Sequence, residues 1–283
     1  LIFIFSSLNS DQLYKYSIFL FFISLISLFL VPFVGVEVKG SKRWIDLFFL
    51  PRFQPIEILK PFLIIILATI FCDIRSNILF KYLISIILIS IISLLLIAQP
   101  DIGQTLLVVF CWAALIFTSG INIYILLAIF IAGASLLAYL IIFVPKFDYI
   151  QGRIFSFFNR ETGTHNFQSD KAIESITSGG FFGKGIGEGV LKNRVPEAHT
   201  DYIISVISEE FGVVAIMLIL LLFLILIYMV FKKISFETND KVKLILIGSI
   251  SLILMQATIH IGVNIRLFPT TGMTLPFLSY GGS

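Results

Sequence analysis

The most restrictive feature of this chain is a succession of apolar runs, several of which approach or exceed the ~20 residues that cross about 30 Å of hydrocarbon. They fall near 13–34, 57–72, 82–98, 104–119, 121–144, 202–231 and 243–267, separated by polar segments rich in Pro and Gly. Only helices and closed barrels satisfy their backbone hydrogen bonds in lipid. Runs of this length predict helices, so the expected fold is all-α, a polytopic integral membrane helix bundle of about seven full spans. Composition agrees, since 58% of the 283 residues are hydrophobic and 13% are charged, against ~25% charged residues in a soluble domain. The short run 104–119, bracketed by Gly103 and Gly120, suits a helix packed among neighbours. Leu1–Phe5 reads as the tail of an earlier span, and the chain stops at Ser283 after a glycine pair, so 1–283 is read as one transmembrane domain truncated at both ends.

The remaining composition narrows the function classes. A net charge of +3, dispersed and without a Lys/Arg block, argues against a nucleic-acid partner. Cys72 and Cys111 form neither a disulfide framework nor a zinc-type spacing, and read as small buried hydrophobes.

Successive spans alternate in direction, which sorts the connections into two sets. One is short (6–12, 73–81, the turn at Gly120, 232–242); the other holds the polar loops 35–56, 99–103, 145–201 and 268–283. The short set carries 7 Lys and Arg against 13 on the other side, where 13 acids accompany them. The bare count of basic residues puts the long loops in the cytoplasm, whereas net charge puts the short loops there; the rule is calibrated on short loops. We read the short loops as cytoplasmic.

Nearly every unusual residue lies on the long-loop side. Loop 145–201 is too long for a plain connector. It holds Gln151-Gly152-Arg153, then Gln168-Ser169, then a glycine-rich run from Gly179 to Gly189 that includes Lys184, and ends in Pro196-Glu197-Ala198-His199-Thr200-Asp201. The glycines would let backbone amides approach an anion, with Lys184 adding charge, although P-loop spacing is absent. A flexible lid is an equal reading. Asp201 opens a helix and by position alone is a helix cap. With His199 beside it and Glu209 and Glu210 two turns deeper, where ionisable groups are costly, it is also a plausible acid–base locus. Glu57 and Lys60, at i and i+3 of another span, read as an intramembrane ion pair or as a pair beneath a cavity. Lys42-Arg43-Trp44 suits an interfacial anchor or a grip on pyrophosphate. The segment from Pro269 to Ser283 is non-helical by its Pro and Gly content. His165 and His260 lack partners at metal-site spacing and read as structural.

Taken in order, these segments resemble the SEDS family (shape, elongation, division and sporulation), the FtsW/RodA-type peptidoglycan polymerases. The resemblance rests on Lys39-Gly40-Ser41-Lys42-Arg43-Trp44-Ile45, Gln54-Pro55-Ile56-Glu57-Ile58-Leu59-Lys60 and Gln99-Pro100-Asp101-Ile102-Gly103. It continues in the glycine-rich run, in Pro196 to Asp201 with Glu209-Glu210-Phe211-Gly212, and in Pro269-Thr270-Thr271-Gly272 through Leu275-Pro276-Phe277-Leu278-Ser279-Tyr280-Gly281-Gly282-Ser283. The stretch from Gly187 to Asp201 is more similar to the division-site (FtsW) branch than to the elongation (RodA) branch. Residues 162–168 depart from the family, which more often has a Tyr-Gln pair there.

The resemblance implies ten spans in the whole family, of which this chain begins late in the second and stops before the tenth, with loop 145–201 extracytoplasmic. It implies a glycosyltransferase of the bacterial cytoplasmic membrane that joins lipid II units into glycan strands at the septum, with Asp201 as general base. Arg43, Lys60, Arg153 and Lys184 would stabilise the pyrophosphate leaving group, with Glu57 holding Lys60. Trp44, His199, Thr200 and Ser279 would complete the substrate site. A divalent cation, Mg or Mn, is compatible with this chemistry, and no ligand cluster identifies one. Implied partners are lipid II, a class B penicillin-binding protein and other division proteins. The rival readings are a lipid II flippase, which needs polar groups along a path to both faces, the elongation-type polymerase, and a scaffold for division partners.

Overall fold

The computed structural model describes residues 10–38, 41–47, 50–73, 77–158, 164–189 and 198–280. The expected stub at 1–5, Lys39-Gly40, the 162–163 part of the divergent stretch, Pro196-Glu197 and Gly281–Ser283 lie outside them, as does the side chain of His165. All seven expected spans are helices. They are α1 (Ser10–Val34), α2 (Pro55–Cys72), α3 (Ile78–Ala98), α4 (Ile102–Thr118), α5 (Ile123–Phe143), α8 (Ile203–Phe236) and α9 (Asp240–Asn264). Six are long and apolar enough to cross a membrane, and α4 is the shorter apolar one. At 17 residues and ~1.5 Å per residue, α4 measures about 26 Å, just under the hydrocarbon thickness. The chain is a multi-pass membrane protein with an all-α membrane fold.

Two long loops contain structure of their own. Loop 35–56 folds as a small antiparallel sheet of β1 (Val36–Val38), β2 (Ser41–Leu47) and β3 (Leu50–Phe53) in that order. Its registers pair Val36 with Trp44 and Ile45 with Phe53. Along β2 the exposed Lys42 and Asp46 flank the partly buried Arg43 and Trp44 and the buried Ile45. Loop 145–201 carries a short 3₁₀ turn and then α6 (Asp148–Phe158) and α7 (Thr164–Gly179).

The chain divides into two compact units. The first comprises 1–121 with 234–252. Its core is the buried face of α2 (Ile56, Leu59, Leu63, Leu67) packed with Leu28 of α1, Ile92 of α3 and Leu107 and Leu115 of α4. Pro55 stands in the first turn of α2, where a missing N–H costs nothing. A Cβ on Gly248 would lie 2.6 Å from Ile64, so glycine is what lets the first half of α9 approach α2. Cys111, as expected, is buried, its thiol 3.5 Å from the Gly248 carbonyl; Cys72 is partly exposed.

The second unit comprises 122–233 with 253–283. Its apolar core joins Ile204 of α8, Ala257 of α9 and Leu275 of the segment that follows α9. That segment, 265–280, is irregular. Its Thr270, Met273 and Thr274 carbonyls and its Leu275 amide have partners within the protein, the condition under which such backbone is tolerated at membrane depth.

Candidate active site

In the first unit, the sheet and three helices meet in a buried polar network. The Arg43 guanidinium on β2 donates to the carbonyls of Gln99, at 3.3 Å, and Pro100. It also lies 3.7 Å from the Asp101 carboxylate. Asp101 accepts from Gln54 Nε2 at 3.0 Å and from the Gln104 amide at 3.4 Å, and so caps α4. Burial pushes its carboxyl above the ordinary value, and Arg43 is the largest influence pulling it back. Glu57 and Lys60 form the expected ion pair, at 2.7 Å, with Lys60 buried. The other Glu57 oxygen accepts from Gln104 Nε2 at 2.7 Å. The two ion pairs are thus bridged through Gln104. Trp44 follows Arg43 on β2 and is partly buried.

In the second unit, the turn before α8 is held by its backbone. The first helical amides, those of Ser205 and Val206, donate to the Tyr202 carbonyl, so Tyr202 takes the N-cap position and Asp201 stands one residue ahead of it. The three preceding carbonyls each receive a donor from a different residue. The Tyr280 amide donates to His199 at 3.1 Å, Ser279 Oγ to Thr200 at 2.8 Å and Asn264 Nδ2 to Asp201 at 3.0 Å. Ser279 Oγ in turn accepts from the Leu275 amide at 2.8 Å. A Cβ on Gly272, whose φ is +71°, would lie 3.5 Å from Asp201 Oδ2, so the irregular segment passes close beside the carboxylate. The Tyr202 phenol is buried and pushed above its ordinary value, chiefly by burial and then by the Asp201 charge, so it remains protonated at neutral pH. His199 is exposed, and Thr200 and Asp201 are partly buried.

Arg153 of α6 also meets the irregular segment, through a 3.3 Å hydrogen bond to the Thr270 carbonyl. It lines a small cleft with Ser156, Ser169 and Phe268.

The glycine-rich run is used differently from an anion cradle. Gly212, with φ 76° and ψ −175°, breaks α8 in a conformation open essentially to glycine alone. The break strands carbonyls on one side and amides on the other. The run supplies both kinds of partner. The Lys184 and Gly185 amides donate to the carbonyls of Glu209 and Glu210 at 2.9 and 3.0 Å. The Val213 and Val214 amides donate to the carbonyls of Gly180 and Phe181 at 3.0 and 3.3 Å. Added Cβ atoms would clash with Ser208 at Gly179, with Glu210 at Gly183 and with Phe181 at Gly212. The Gly187 amide donates to Glu210 Oε1 at 3.1 Å. The amides of Lys184, Gly185 and Gly187 are therefore committed to protein, which corrects the phosphate-cradle reading of this run. Glu209, fully buried, accepts from Ser175 Oγ at 3.0 Å and pairs with Lys184 at 3.5 Å. The two glutamates that read as acid–base candidates both grip the break.

A family model described as "Cell cycle protein", covering FtsW, RodA and SpoVE, matches residues 1–283. The chain belongs to this family. Among its FtsW/RodA/SpoVE-family relatives, the "Probable peptidoglycan glycosyltransferase FtsW" of Caulobacter vibrioides is 34% identical over 98% of this chain and 70% of that protein. The protein of the same name from Enterococcus hirae is 33% identical over 92% and 68%. Among solved structures, one described as "Structural coordination of polymerization and crosslinking by a peptidoglycan synthase complex" shares 28% identity at a TM-score of 0.81, covering 99% of this chain and 80% of that one. The rod shape determining protein RodA of Thermus thermophilus shares 28% identity at a TM-score of 0.70, covering 99% and 76%.

For this FtsW/RodA/SpoVE-family chain, the structure gathers Arg43, Glu57 and Lys60 in one unit and His199, Thr200, Asp201 and Ser279 in the other. Ser279, expected at substrate, spends its hydroxyl on the Asp201 turn. Sequence reasoning missed Asp101 and Gln104 as the centre of the first network. It also missed the stripe Gln256, His260 and Asn264 on α9. Gln256 Nε2 donates to the Thr274 carbonyl at 3.0 Å. His260 Nδ1 lies 2.7 Å from the Met273 carbonyl, and because a carbonyl only accepts, that nitrogen carries the proton. The signal was three buried polar residues four apart inside an apolar run, where polar groups are rarely idle. Among the described residues, no group of three or more His, Cys, Asp or Glu could hold a metal ion.

Proposed function

We propose that this chain is a peptidoglycan glycosyltransferase that polymerises lipid II, with Asp201 as the general base. The observation that carries the reading is the pinning of three consecutive carbonyls, His199, Thr200 and Asp201, by Tyr280, Ser279 and Asn264. A catalytic carboxylate needs a fixed backbone beneath it, because misplacement by an ångström is costly. In the proposed reaction the acceptor sugar hydroxyl attacks the anomeric carbon of the donor. A carbon–oxygen bond forms there as the bond to the polyprenyl pyrophosphate breaks, with inversion, and the hydroxyl proton passes to Asp201. Arg153, beside the same irregular segment, is our cation for the pyrophosphate in this unit. Lys184 we assign instead to holding Glu209. Arg43, Trp44, Glu57 and Lys60 we assign to contacts with the lipid-linked substrate.

The names of the FtsW relatives and the description of the synthase complex support this activity. In the same reading the role is septal, loop 145–201 is extracytoplasmic, and the partner is a class B penicillin-binding protein that crosslinks the strands. Structural likeness to RodA favours a second reading of cellular role, elongation in place of division. Complementation of division- and elongation-defective cells separates the two. The activity itself is tested by polymerisation of lipid II with purified protein. Asp201→Asn keeps the pinned carbonyl and loses the base, so glycan formation should fall by about 10²–10⁴ while the thermal unfolding midpoint stays at the parent value. A folded Asp201→Asn protein with near-normal activity removes the assignment.

A further inference from the structure

The glycine-rich run exposes three large apolar side chains within six residues: Phe181 at 75%, Phe182 at 86% and Ile186 at 78% of their full accessible surface. A patch of that kind marks a binding surface. Its position says what it binds. Through the Gly180 and Phe181 carbonyls it is bonded to the amides of Val213 and Val214. Those two residues open the uncharged stretch 213–231 of α8, which at ~1.5 Å per residue spans about 28 Å, the hydrocarbon thickness itself. Val213, Val214 and Met217 are exposed on the same helix, continuing the apolar surface downward.

Two further features prepare the tip for a low-dielectric surrounding. Non-helical chain is excluded from lipid when its backbone polar groups lack partners. Here the amides of Gly183, Lys184 and Gly185 and the carbonyls of Gly180 and Phe181 all have partners at 2.9 to 3.3 Å. Of the two charges inside the run, Lys184 is drawn to Glu209, and Glu188 is exposed beyond Ile186.

We propose that Phe181, Phe182 and Ile186 form a wedge that enters the bilayer leaflet at the end where the uncharged stretch of α8 begins. The occupant of the patch is lipid acyl chain, by continuity with the lipid-facing surface of α8. The wedge would anchor the break at Gly212 to the membrane surface, and with it the helix mouth that carries Asp201. The inference rests on α8 spanning the bilayer and is independent of the reaction.

Collision accessibility of nitroxide labels tests it. Phe182→Cys and, separately, Ile186→Cys are labelled in protein whose Cys72 and Cys111 are replaced by alanine, reconstituted in nanodiscs of phosphatidylethanolamine and phosphatidylglycerol. Met217→Cys and Glu188→Cys serve as lipid and water references. The expected result is an oxygen-to-nickel-complex collision ratio severalfold above that of Glu188→Cys and approaching that of Met217→Cys. A ratio matching Glu188→Cys places the tip in water and overturns the proposal. Low collision with both reagents means that protein covers the tip, and overturns it equally.

Discussion

The two polar regions of this molecule are held together by opposite means. In the first unit, Arg43, Asp101, Glu57 and Lys60 are fixed by one another: each charge is the support of the next, and Gln104 joins the pairs. In the second, the Asp201 turn is fixed through backbone carbonyls that would survive replacement of the aspartate. The first arrangement couples charge to folding, so its side chains cannot change without loss of stability. The second separates the chemistry of the carboxylate from the architecture beneath it. A region organised in that way can carry a reactive group without depending on it.

The contrast breaks if replacing a charge in the first unit leaves the fold untouched. Arg43→Ala removes the guanidinium from a buried Asp101, and breaking one side of a buried pair costs about 3–5 kcal/mol. The sign of its pH dependence follows from Asp101, whose carboxyl burial already raises and Arg43 lowers. Without Arg43 the folded-state value climbs further above the unfolded ~3.9. Stability is then fullest below the unfolded value and is lost as pH rises through the folded one. Denaturation in detergent at several pH values should therefore show a deficit that is smallest in acid and grows toward neutrality. A pH-independent deficit would assign the loss to packing of the arginine stem instead.

A smaller effect is expected at the break in α8. Gly212→Ala forces a side chain into a glycine-only conformation, with its Cβ 2.2 Å from the Phe181 carbonyl oxygen. Strain of this kind costs about 1–3 kcal/mol, and separation of the run from α8 should also raise amide exchange at Lys184, Gly185, Val213 and Val214. Unchanged exchange would show that the run does not depend on the break.

The legibility of these regions in the sequence follows the range of the interactions involved. Spans were readable because length and apolarity are local, and α1 to α5, α8 and α9 depart from the expected limits by only a few residues, whereas α6 and α7 formed inside what the sequence showed as a polar loop. The sheet was missed because β2 lies among Lys, Arg and Asp residues and its pattern is only a few residues long. The glycine run was readable as unusual, yet its use depends on Gly212, far along the chain, and no local pattern links Gly183 to the Glu210 carbonyl. Asp201 stood out through family resemblance, whereas Asn264 acquires meaning only when α9 is folded against the turn.

That last contact gives the smallest and most discriminating expectation. Asn264→Leu removes the donor to the Asp201 carbonyl at similar volume, and Ser279→Ala removes the donor to Thr200. Each should cost about 1–3 kcal/mol, the penalty of leaving a buried carbonyl unmet. If the turn positions Asp201, each should also lower kcat about tenfold, a 1.4 kcal/mol effect, with KM for lipid II unchanged. Asn264→Gln, which retains the amide donor, should recover part of the loss. In an Asp201→Asn background neither substitution should lower the residual rate further, because the group they position is gone. Additive losses in that background would mean that Asn264 and Ser279 support the fold alone and that the backbone pinning has no bearing on the carboxylate.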